Sequence, residues 1–334
     1  MSANPNSKSP TDGTDPDRQV EQSTEQSSDT RPTSESDPPV EIDPRGDVGS
    51  EAADVVELPA DDEPEVARDQ SGPEDGGSPL ETTGAPTRFS GAITGGTIKT
   101  VVSTIASIVE ETRIHADEDG IRIRAVDPAN VAMDDIVLEA AAFESYDATS
   151  GVLGVDLERF STIIRLANSG DLVQVSLDLE TRKLVVHIDG IEFTMACLDP
   201  QTIRAEPEIP DLDLPAEATV DRDALDRGVK AADMVGDHVY VRMDEPTEAL
   251  LLSADGDTDE VTLEIPREEL SDVTVVEAES LFGLDFMKAI VRTIPTGTSV
   301  TMTLGTDFPL IMSYDLADGD GHVTRMLAPR IRSE

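Results

Sequence analysis

The sequence predicts an α+β protein built from two similar domains in tandem. Amphipathic helical segments are interspersed with runs of short, alternating strand-like segments. The pattern restarts after a proline-rich stretch that begins near residue 200. Segments of the two halves also match at a nearly constant spacing, which is typical of duplicated domains. Each half should contain two helices and roughly eight or nine strands, with the helices on one face of strand-rich sheets.

Residues 1–87 contain no aromatic residue and are rich in Asp, Glu, Pro and Ser. Such a segment cannot bury enough surface to offset its chain entropy, so we predict a disordered acidic tail. Its role stays open between an acidic tether, a decoy for basic partners and a solvating extension or misassigned start.

The first domain is predicted over residues 88–197. It begins with a helix at 97–111, TIKTVVSTIASIVEE, and has a second helix at 156–167 with Asp156 as its N-cap. The apolar face of the first helix carries Ile98, Val101, Val102, Ile105, Ile108 and Val109. Alternating segments predict strands at 120–127, 133–140, 151–156, 172–179, 183–189 and 191–198.

Residues 198–215 predict an extended interdomain connector, because four prolines within it leave few donors for a strand ladder. The second domain is predicted over 216–334. Its helices are expected at 221–236 and 284–294, and its strands at 238–244, 248–255, 261–266, 299–304 and 308–316.

The repeat rests on two correspondences. GVDLERF at 154–160 and GLDFMKA at 283–289 lie 129 positions apart, and each opens the second helix of its half. Ile98, Val102 and Ile108 in the first helix match Leu225, Val229 and Val235, 127 positions later. We therefore expect the two halves to share one arrangement of elements.

The charge is extreme: 70 Asp and Glu oppose 25 Lys and Arg among 334 residues, a formal net charge of −45. Self-repulsion of this size is tolerable where counterions are plentiful, which indicates a salt-accumulating halophile. The single cysteine fits a reducing compartment. Neither a signal peptide nor an apolar run of about 20 residues is present in the sequence, so we expect a cytoplasmic protein without membrane contact.

Catalytic motifs are absent from the sequence. The four histidines are scattered, and Cys197 lies in an apolar strand, which favours a buried thiol. DGDTDE at 255–260 opens like a calcium loop but has Glu260 and Pro266 where that loop needs glycine and a bidentate acid. We expect no enzyme, metal or cofactor. The alternative left open is an acidic, metal-dependent hydrolytic enzyme.

Basic residues are the informative minority in so acidic a chain. Helical spacing places Lys288 with Arg292, and Arg227 with Lys230, on shared faces. The basic residues on predicted helices are Lys99, Arg159, Arg165, Arg222, Arg227, Lys230, Lys288 and Arg292. If all helices lie on one side, these residues form a basic face for DNA backbone phosphates, without reading sequence. Ordinary solvated helix faces, paired with Asp and Glu, are the alternative.

Segments spread over the whole region from Phe89 to Ile331 resemble one family. They are DGIRIRAVDPANVAMDDIVL, GVDLERFSTIIRLA, TRKLVVHIDG, IRAEPEIPDLDLP, RGVKAADMVGDHV and the closing MLAPRI. Together they resemble the archaeal sliding clamp, or proliferating cell nuclear antigen (PCNA), family, and the acidic composition resembles its haloarchaeal branch.

The resemblance implies the DNA clamp fold and a non-catalytic role. Three chains would form a homotrimeric, pseudo-sixfold ring around double-stranded DNA, with helices lining the hole. The ring would work at the nucleoid as a processivity factor, tethering DNA polymerase, ligase and flap nuclease through short docking peptides after the clamp loader has placed it. A clamp-like scaffold for damage signalling is a further alternative.

The resemblance also implies three sets of residues. The DNA-facing residues are Lys99, Arg165, Arg227, Lys230 and Arg292. The partner-docking groove consists of Val126, Val131, Met133, Ile203, Ile209, Pro210, Pro309, Met326, Leu327, Ala328 and Pro329. At the subunit interface, an edge strand that carries His187, Ile188, Ile191 and Phe193 would pair with an edge strand of the next chain that carries Val261, Leu263 and Ile265. The sequence departs from the family pattern at Ala106 and Thr162, where clamps often have lysine, and at Met326, where many have an aromatic residue.

Overall fold

Within the part of the chain that the structure describes, each half contains two α-helices and nine strands in the same order, in agreement with the sequence prediction. The computed structural model describes residues 84–206, 210 and 212–330. The helices are α1 (Gly95–Ile105), α2 (Leu157–Ile164), α3 (Arg222–Ala232) and α4 (Leu284–Thr293). The α+β prediction is therefore confirmed.

The described strands are divided equally between the two halves, nine in each. Those of the first half are β1 (Phe89–Thr94), β2 (Glu111–Ala116), β3 (Gly120–Val126), β4 (Ala132–Glu139), β5 (Ser145–Ala148), β6 (Gly151–Asp156), β7 (Leu172–Asp178), β8 (Lys183–Ile188) and β9 (Ile191–Ala196). Those of the second are β10 (Ala216–Asp221), β11 (His238–Asp244), β12 (Ala249–Asp255), β13 (Glu260–Ile265), β14 (Ser271–Thr274), β15 (Ala278–Gly283), β16 (Ser299–Leu304), β17 (Leu310–Leu316) and β18 (Gly321–Leu327).

Side-chain caps fix where the helices begin. Asp156 accepts a hydrogen bond from the Arg159 N–H at 2.9 Å, as predicted, and Asp221 accepts one from the Asp223 N–H at 2.7 Å. Such caps satisfy donors that a helix start leaves unpaired. The first predicted helix is too long, because α1 ends at Ile105 and the chain turns before β2 begins at Glu111.

The repeat has a single spacing in the structure. The first residues of α1 and α3, Gly95 and Arg222, lie 127 positions apart, and so do the first residues of α2 and α4, Leu157 and Leu284. The predicted spacing of 129 for the second helices is wrong. It aligned Asp156, which caps α2, with an aspartate inside the first turn of α4.

The strands of the described chain form three antiparallel sheets. Their orders are β5-β1-β7-β8-β9, β14-β10-β16-β17-β18-β4-β3-β2-β6 and β13-β12-β11-β15. The nine-stranded sheet runs through both halves, because β18 of the second half pairs with β4 of the first over seven residue pairs, from Gly321↔Leu138 to Leu327↔Ala132. The two halves are thus joined by backbone hydrogen bonds as well as by side chains.

The helices cover these sheets with their apolar faces. On α1 the buried side chains include Ile98, Val101, Val102 and Ile105, and on α3 they include Leu225 and Val229. None of the helices in the described part of the chain combines the length and apolar character needed to cross a membrane.

Candidate functional site

Three of the predicted DNA-facing residues meet at one cleft. Lys99 of α1, Arg165 at the end of α2 and Arg292 of α4 line a cleft of about 470 Å³ whose other walls are small or aliphatic residues. Both halves contribute to it, because α1 and α2 belong to the first half and α4 to the second. A cationic cleft on so acidic a chain is a local attraction site for phosphate.

The basic residues of this cleft differ in how free their charges are. The Lys99 ammonium donates a hydrogen bond to the Ala167 carbonyl, so it is tied to the segment that follows α2. The side chains of Arg165 and Arg292 are exposed, and neither forms an ion pair or hydrogen bond with another described residue. These two guanidinium groups are available to an anionic ligand.

The remaining predicted DNA-facing residues, Arg227 and Lys230, lie on α3 and do not line this cleft. Arg227 is exposed, and Lys230, 75% exposed, binds Asp226 at 2.7 Å. Of the other helix-borne basic residues, Arg222 is buried and donates to the Val291 carbonyl of α4 at 3.3 Å. Arg222 therefore serves helix packing, so the single face of basic residues predicted from spacing does not include it.

A row of apolar side chains crosses the outer face of the nine-stranded sheet. Val126 on β3 pairs with Met133 on β4, Met133 pairs with Met326 on β18, and Met326 pairs with Ile311 on β17. Cross-strand partners lie on the same face of a sheet. Three predicted groove residues are thus adjacent, and Ile311 joins them. Val126 and Met326 are 8% and 6% exposed, whereas Met133 and Ile311 are partly exposed. Ile311 was not predicted, although it lies two positions after Pro309, on the same side of an alternating strand.

The C-terminal segment meets the turn before β4 beside this row. The Ala328 N–H donates to the Val131 carbonyl at 2.8 Å. Val131, Ala328, Pro329 and Pro309 are all partly exposed. These residues and the Val126–Ile311 row form what we call the docking surface.

Some predicted groove residues lie elsewhere. Leu327 is fully buried and belongs to the core, because alternation along β18 turns it inward. Ile203 is 5% exposed and lines a neighbouring cleft of about 670 Å³ together with Val126. Pro210 is exposed, and Ile209 lies outside the described residues.

The predicted subunit-interface strands are both sheet edges. β9 is the last strand of the five-stranded sheet and β13 the last of the four-stranded sheet. On β9, Ile191 is 49% exposed and Phe193 is partly exposed; on β13, Val261 and Leu263 are partly exposed. These edges carry unpaired backbone groups and apolar side chains, which suits pairing with another chain.

Three residues of the predicted subunit interface do not offer an exposed apolar side chain at these edges. Ile188 and Ile265 are each 1% exposed and pack in the core, because they occupy inward positions of their strands. His187 is exposed and lies 3.0 Å from the Glu192 carboxylate on the adjacent strand.

The described residues contain no cluster of three or more His, Cys, Asp or Glu side chains arranged to hold a metal ion. Cys197 is partly buried, and this burial raises the pKa of its thiol. A raised pKa disfavours the thiolate that a nucleophilic cysteine needs.

Comparison with known proteins places these surfaces in context. Residues 90–192 match the family model described as proliferating cell nuclear antigen, N-terminal domain. The DNA polymerase sliding clamp of Natronomonas pharaonis is 48% identical over 246 residues, which are 74% of this chain and 100% of that relative. The DNA polymerase sliding clamp of Haloarcula marismortui is 47% identical, with the same coverage. Among solved structures, the C-terminal region of FEN-1 bound to A. fulgidus PCNA matches with a TM-score of 0.70 and 36% identity, over 74% of this chain and 100% of that one.

Proposed function

The chain belongs to the proliferating cell nuclear antigen family of DNA polymerase sliding clamps, and from this membership we propose that it is a ring-forming processivity factor of DNA replication. Three copies close around duplex DNA and tether replication and repair enzymes to it. The gain is in effective concentration, because a tethered enzyme remains at its template. The chain is not an enzyme, and the names of the relatives reported above are those of sliding clamps rather than hydrolases.

The cleft between α1, α2 and α4 carries the DNA-binding part of the proposal. Helices from both halves present Lys99, Arg165 and Arg292 to one place, and two of these charges are unpaired among the described residues. We assign the DNA-facing role to these three and, more peripherally, to Arg227 and Lys230. Contacts of this kind bind backbone phosphates without distinguishing sequence.

The docking surface is the proposed site for partner enzymes. It is an apolar row on a sheet face, bordered by a turn and by the C-terminal segment, and it suits a short helical segment with apolar anchors. A FEN-1 segment, a DNA polymerase, a ligase and the clamp loader are the partners proposed for it. We include Ile203 and the connector residues Ile209 and Pro210 as its far border.

The ring is proposed to close by pairing β9 of one chain with β13 of the next. Such head-to-tail contacts are heterologous, and they generate a closed ring when the rotation between copies is right. We propose domain boundaries of 88–197 and 216–334, joined by the connector 198–215, with 1–87 as an acidic tail. The working location is the cytoplasm, at the nucleoid.

A polymerase processivity assay with a clamp loader on circular template at high salt tests the function. Wild-type chain should lengthen the products, and Met133→Glu should abolish that effect by placing a charge in the apolar row. Val137→Glu is the matched control, because Val137 lies on the same face of β4 and is likewise partly exposed. Both variants should retain the trimer mass. Failure of wild-type chain to stimulate the polymerase would contradict the proposal.

A further inference from the structure

The connector is fastened to the first half by two arginines that no sequence pattern singled out. Arg113 on β2 donates from Nε to the Pro200 carbonyl and from Nη2 to the Ile203 carbonyl, both at 2.7 Å. Arg204, the next residue along the connector, donates from Nη1 to the Asp127 carbonyl at 2.9 Å. The two guanidinium groups thus hold the connector on either side of the buried Ile203 side chain.

Arg204 also holds the turn that leads into β4. Its Nη2 donates to Asn130 Oδ1 at 2.6 Å, so the guanidinium bridges two residues, Asp127 and Asn130, of the turn at 127–131. The turn is already constrained, because the buried Asp127 carboxylate accepts the backbone N–H groups of Ala129, Val131 and Ala132, the first residue of β4, at 2.5–2.7 Å. Asn130 has a left-handed φ of 58°, a conformation that asparagine tolerates.

This turn is one border of the docking surface. The residue after Asn130 is Val131, whose carbonyl accepts the N–H of Ala328 in the C-terminal segment. A continuous series of hydrogen bonds therefore runs from the connector through Arg204 and the turn to Ala328. Movement of the connector would be transmitted to the place where these two borders meet.

We propose that Arg204 is a positioning residue for partner docking, which sets the affinity for docking segments by holding the 127–131 turn rather than by touching the partner. The inference rests on the proposed function of the docking surface. A planar guanidinium can hold two acceptors at fixed geometry, whereas a lysine ammonium is a point charge on a flexible stem. Arginine at this position is thus matched to its task.

The acceptors of both arginines give the contact a distinctive salt response. All four are uncharged carbonyl or amide oxygens, although the chain offers many carboxylates. High salt screens attraction between charges but leaves hydrogen bonds to neutral acceptors largely intact.

The test measures binding of a peptide comprising the C-terminal region of FEN-1 at about 0.2 M and about 2 M salt. Arg204→Ala and Arg204→Lys should each weaken binding about five- to tenfold at both salt concentrations, since a hydrogen-bonded contact is lost. Exchange of the Ala328 amide hydrogen should accelerate in both variants, while the thermal midpoint stays near that of wild type.

Arg88→Ala is the matched control, because Arg88 pairs with Asp147 on an exposed surface where both side chains are 59% exposed. It should leave peptide affinity unchanged. Asn130→Gly removes one acceptor of Arg204 and keeps the left-handed backbone accessible, so it tests the same contact in a chain with an intact arginine. We expect it to weaken binding about two- to threefold.

The outcomes separate the two proposals. If wild-type chain does not bind the peptide, the docking surface is wrong and this inference is wrong with it. If wild-type chain binds while Arg204→Ala and Asn130→Gly bind equally well, the docking surface stands and the positioning role of Arg204 is overturned. A loss of affinity accompanied by an equal loss in the Arg88→Ala control would also overturn it.

Discussion

Arg325 and Asp134 form a bidentate ion pair in which neither side chain is exposed to solvent. Arg325 Nε lies 2.7 Å from Asp134 Oδ1, and Arg325 Nη2 lies 2.8 Å from Asp134 Oδ2. The pair joins β18 of the second half to β4 of the first. The same guanidinium donates to the Ile290 carbonyl of α4 at 3.0 Å and to Ser107 Oγ after α1 at 2.8 Å.

This pair lies directly behind the docking surface. Alternation places Met326 and Met133 on the outer sheet face, and it places Arg325 and Asp134, one residue away on each strand, on the inner face toward the helices. Burial alone raises the pKa of Asp134, and the adjacent guanidinium opposes that shift. The carboxylate therefore depends on Arg325 for its charge compensation.

The first prediction concerns the energy of this pair. Arg325→Met should destabilise the folded chain by about 3–5 kcal/mol, because it leaves a buried carboxylate without its partner. Adding Asp134→Leu to that variant should restore most of the loss, since an apolar pair of similar volume is often neutral. Urea unfolding at fixed salt and protein concentration measures both. Additive losses in the double variant would show that the two side chains are not coupled.

Neither residue of the pair could be paired from the sequence. They lie 191 positions apart, and Arg325 sits in the closing stretch that local patterns describe only as apolar. Sequence patterns also do not identify Arg113 and Arg204, because their acceptors are backbone carbonyls and an Asn amide rather than charged residues. Local alternation did predict eleven of the described strands within one or two residues, namely β3, β4, β6–β9, β11–β13, β16 and β17.

Local patterns do not predict seven of the described strands, β1, β2, β5, β10, β14, β15 and β18, and three of these share a cause. β1, β5 and β14 are short or rich in Gly, Ser and Thr, and they are stabilised by pairing with strands far away in the chain. The predicted first helix extends beyond α1 because Ile108 and Val109 continue the helical spacing of apolar residues. In the structure both residues lie in the segment between α1 and β2. Tertiary pairing overrides local periodicity at both kinds of position.

The second prediction concerns retention on DNA. The unpaired cations in the described cleft are few, and salt reduces the gain from counterion release, so ring closure should dominate retention. A loaded ring should persist on circular DNA and be lost rapidly from linear DNA with free ends. Single-molecule lifetimes on the two templates measure this, and equal lifetimes would contradict it.

The cleft arginines should still matter at moderate salt. Arg165→Gln with Arg292→Gln should lower the salt dependence of DNA binding by a slope of about 1–2, because each phosphate contact contributes about 0.9. Lys183→Gln on the exposed start of β8 is the control, since Lys183 lies on a strand and does not line the cleft. An unchanged slope in the double variant would remove these residues from the DNA-facing set.

The third prediction concerns ring stability. β13 carries Glu260 and Glu264, and β9 carries Glu192, so pairing these edges brings carboxylates together. The ring should dissociate as salt falls toward about 0.1 M, where the screening length grows to about 10 Å. Light scattering across a salt series measures the mass. Glu264→Gln should shift dissociation to lower salt. The control Glu118→Gln, on an exposed hairpin turn, should not. An unchanged trimer mass at low salt would refute the idea.

The fourth prediction concerns the single cysteine. Burial raises the pKa of Cys197, so its thiolate is scarcer at pH 8 than in an exposed thiol, although the nearby Arg182 charge acts in the opposite direction. Alkylation by iodoacetamide should be slower than that of a free thiol and should keep rising with pH through about 9. Unfolding the chain should remove the difference. A rate that reaches its plateau below that pH would contradict the assignment.

The last prediction concerns Gly154 on β6, which contacts the start of the proposed connector. The Leu198 N–H donates to the Gly154 carbonyl at 2.9 Å. A Cβ at Gly154 would lie 2.5 Å from the Leu198 carbonyl oxygen and 3.0 Å from Ile203 Cδ1. Backbone atoms cannot move aside as a flexible side chain can, so Gly154→Ala should displace the connector and destabilise the chain by about 1–3 kcal/mol.

Gly170→Ala is the matched control, because nothing lies within 4 Å of the Cβ it would add. Limited proteolysis should cut Gly154→Ala faster within residues 198–206, while the control and wild type are cut alike. Peptide binding at the docking surface should weaken in Gly154→Ala, since displacing Ile203 also displaces Arg204 from its acceptors on the 127–131 turn. A variant that keeps its protease resistance and its peptide affinity would show that the connector tolerates this shift and does not transmit it.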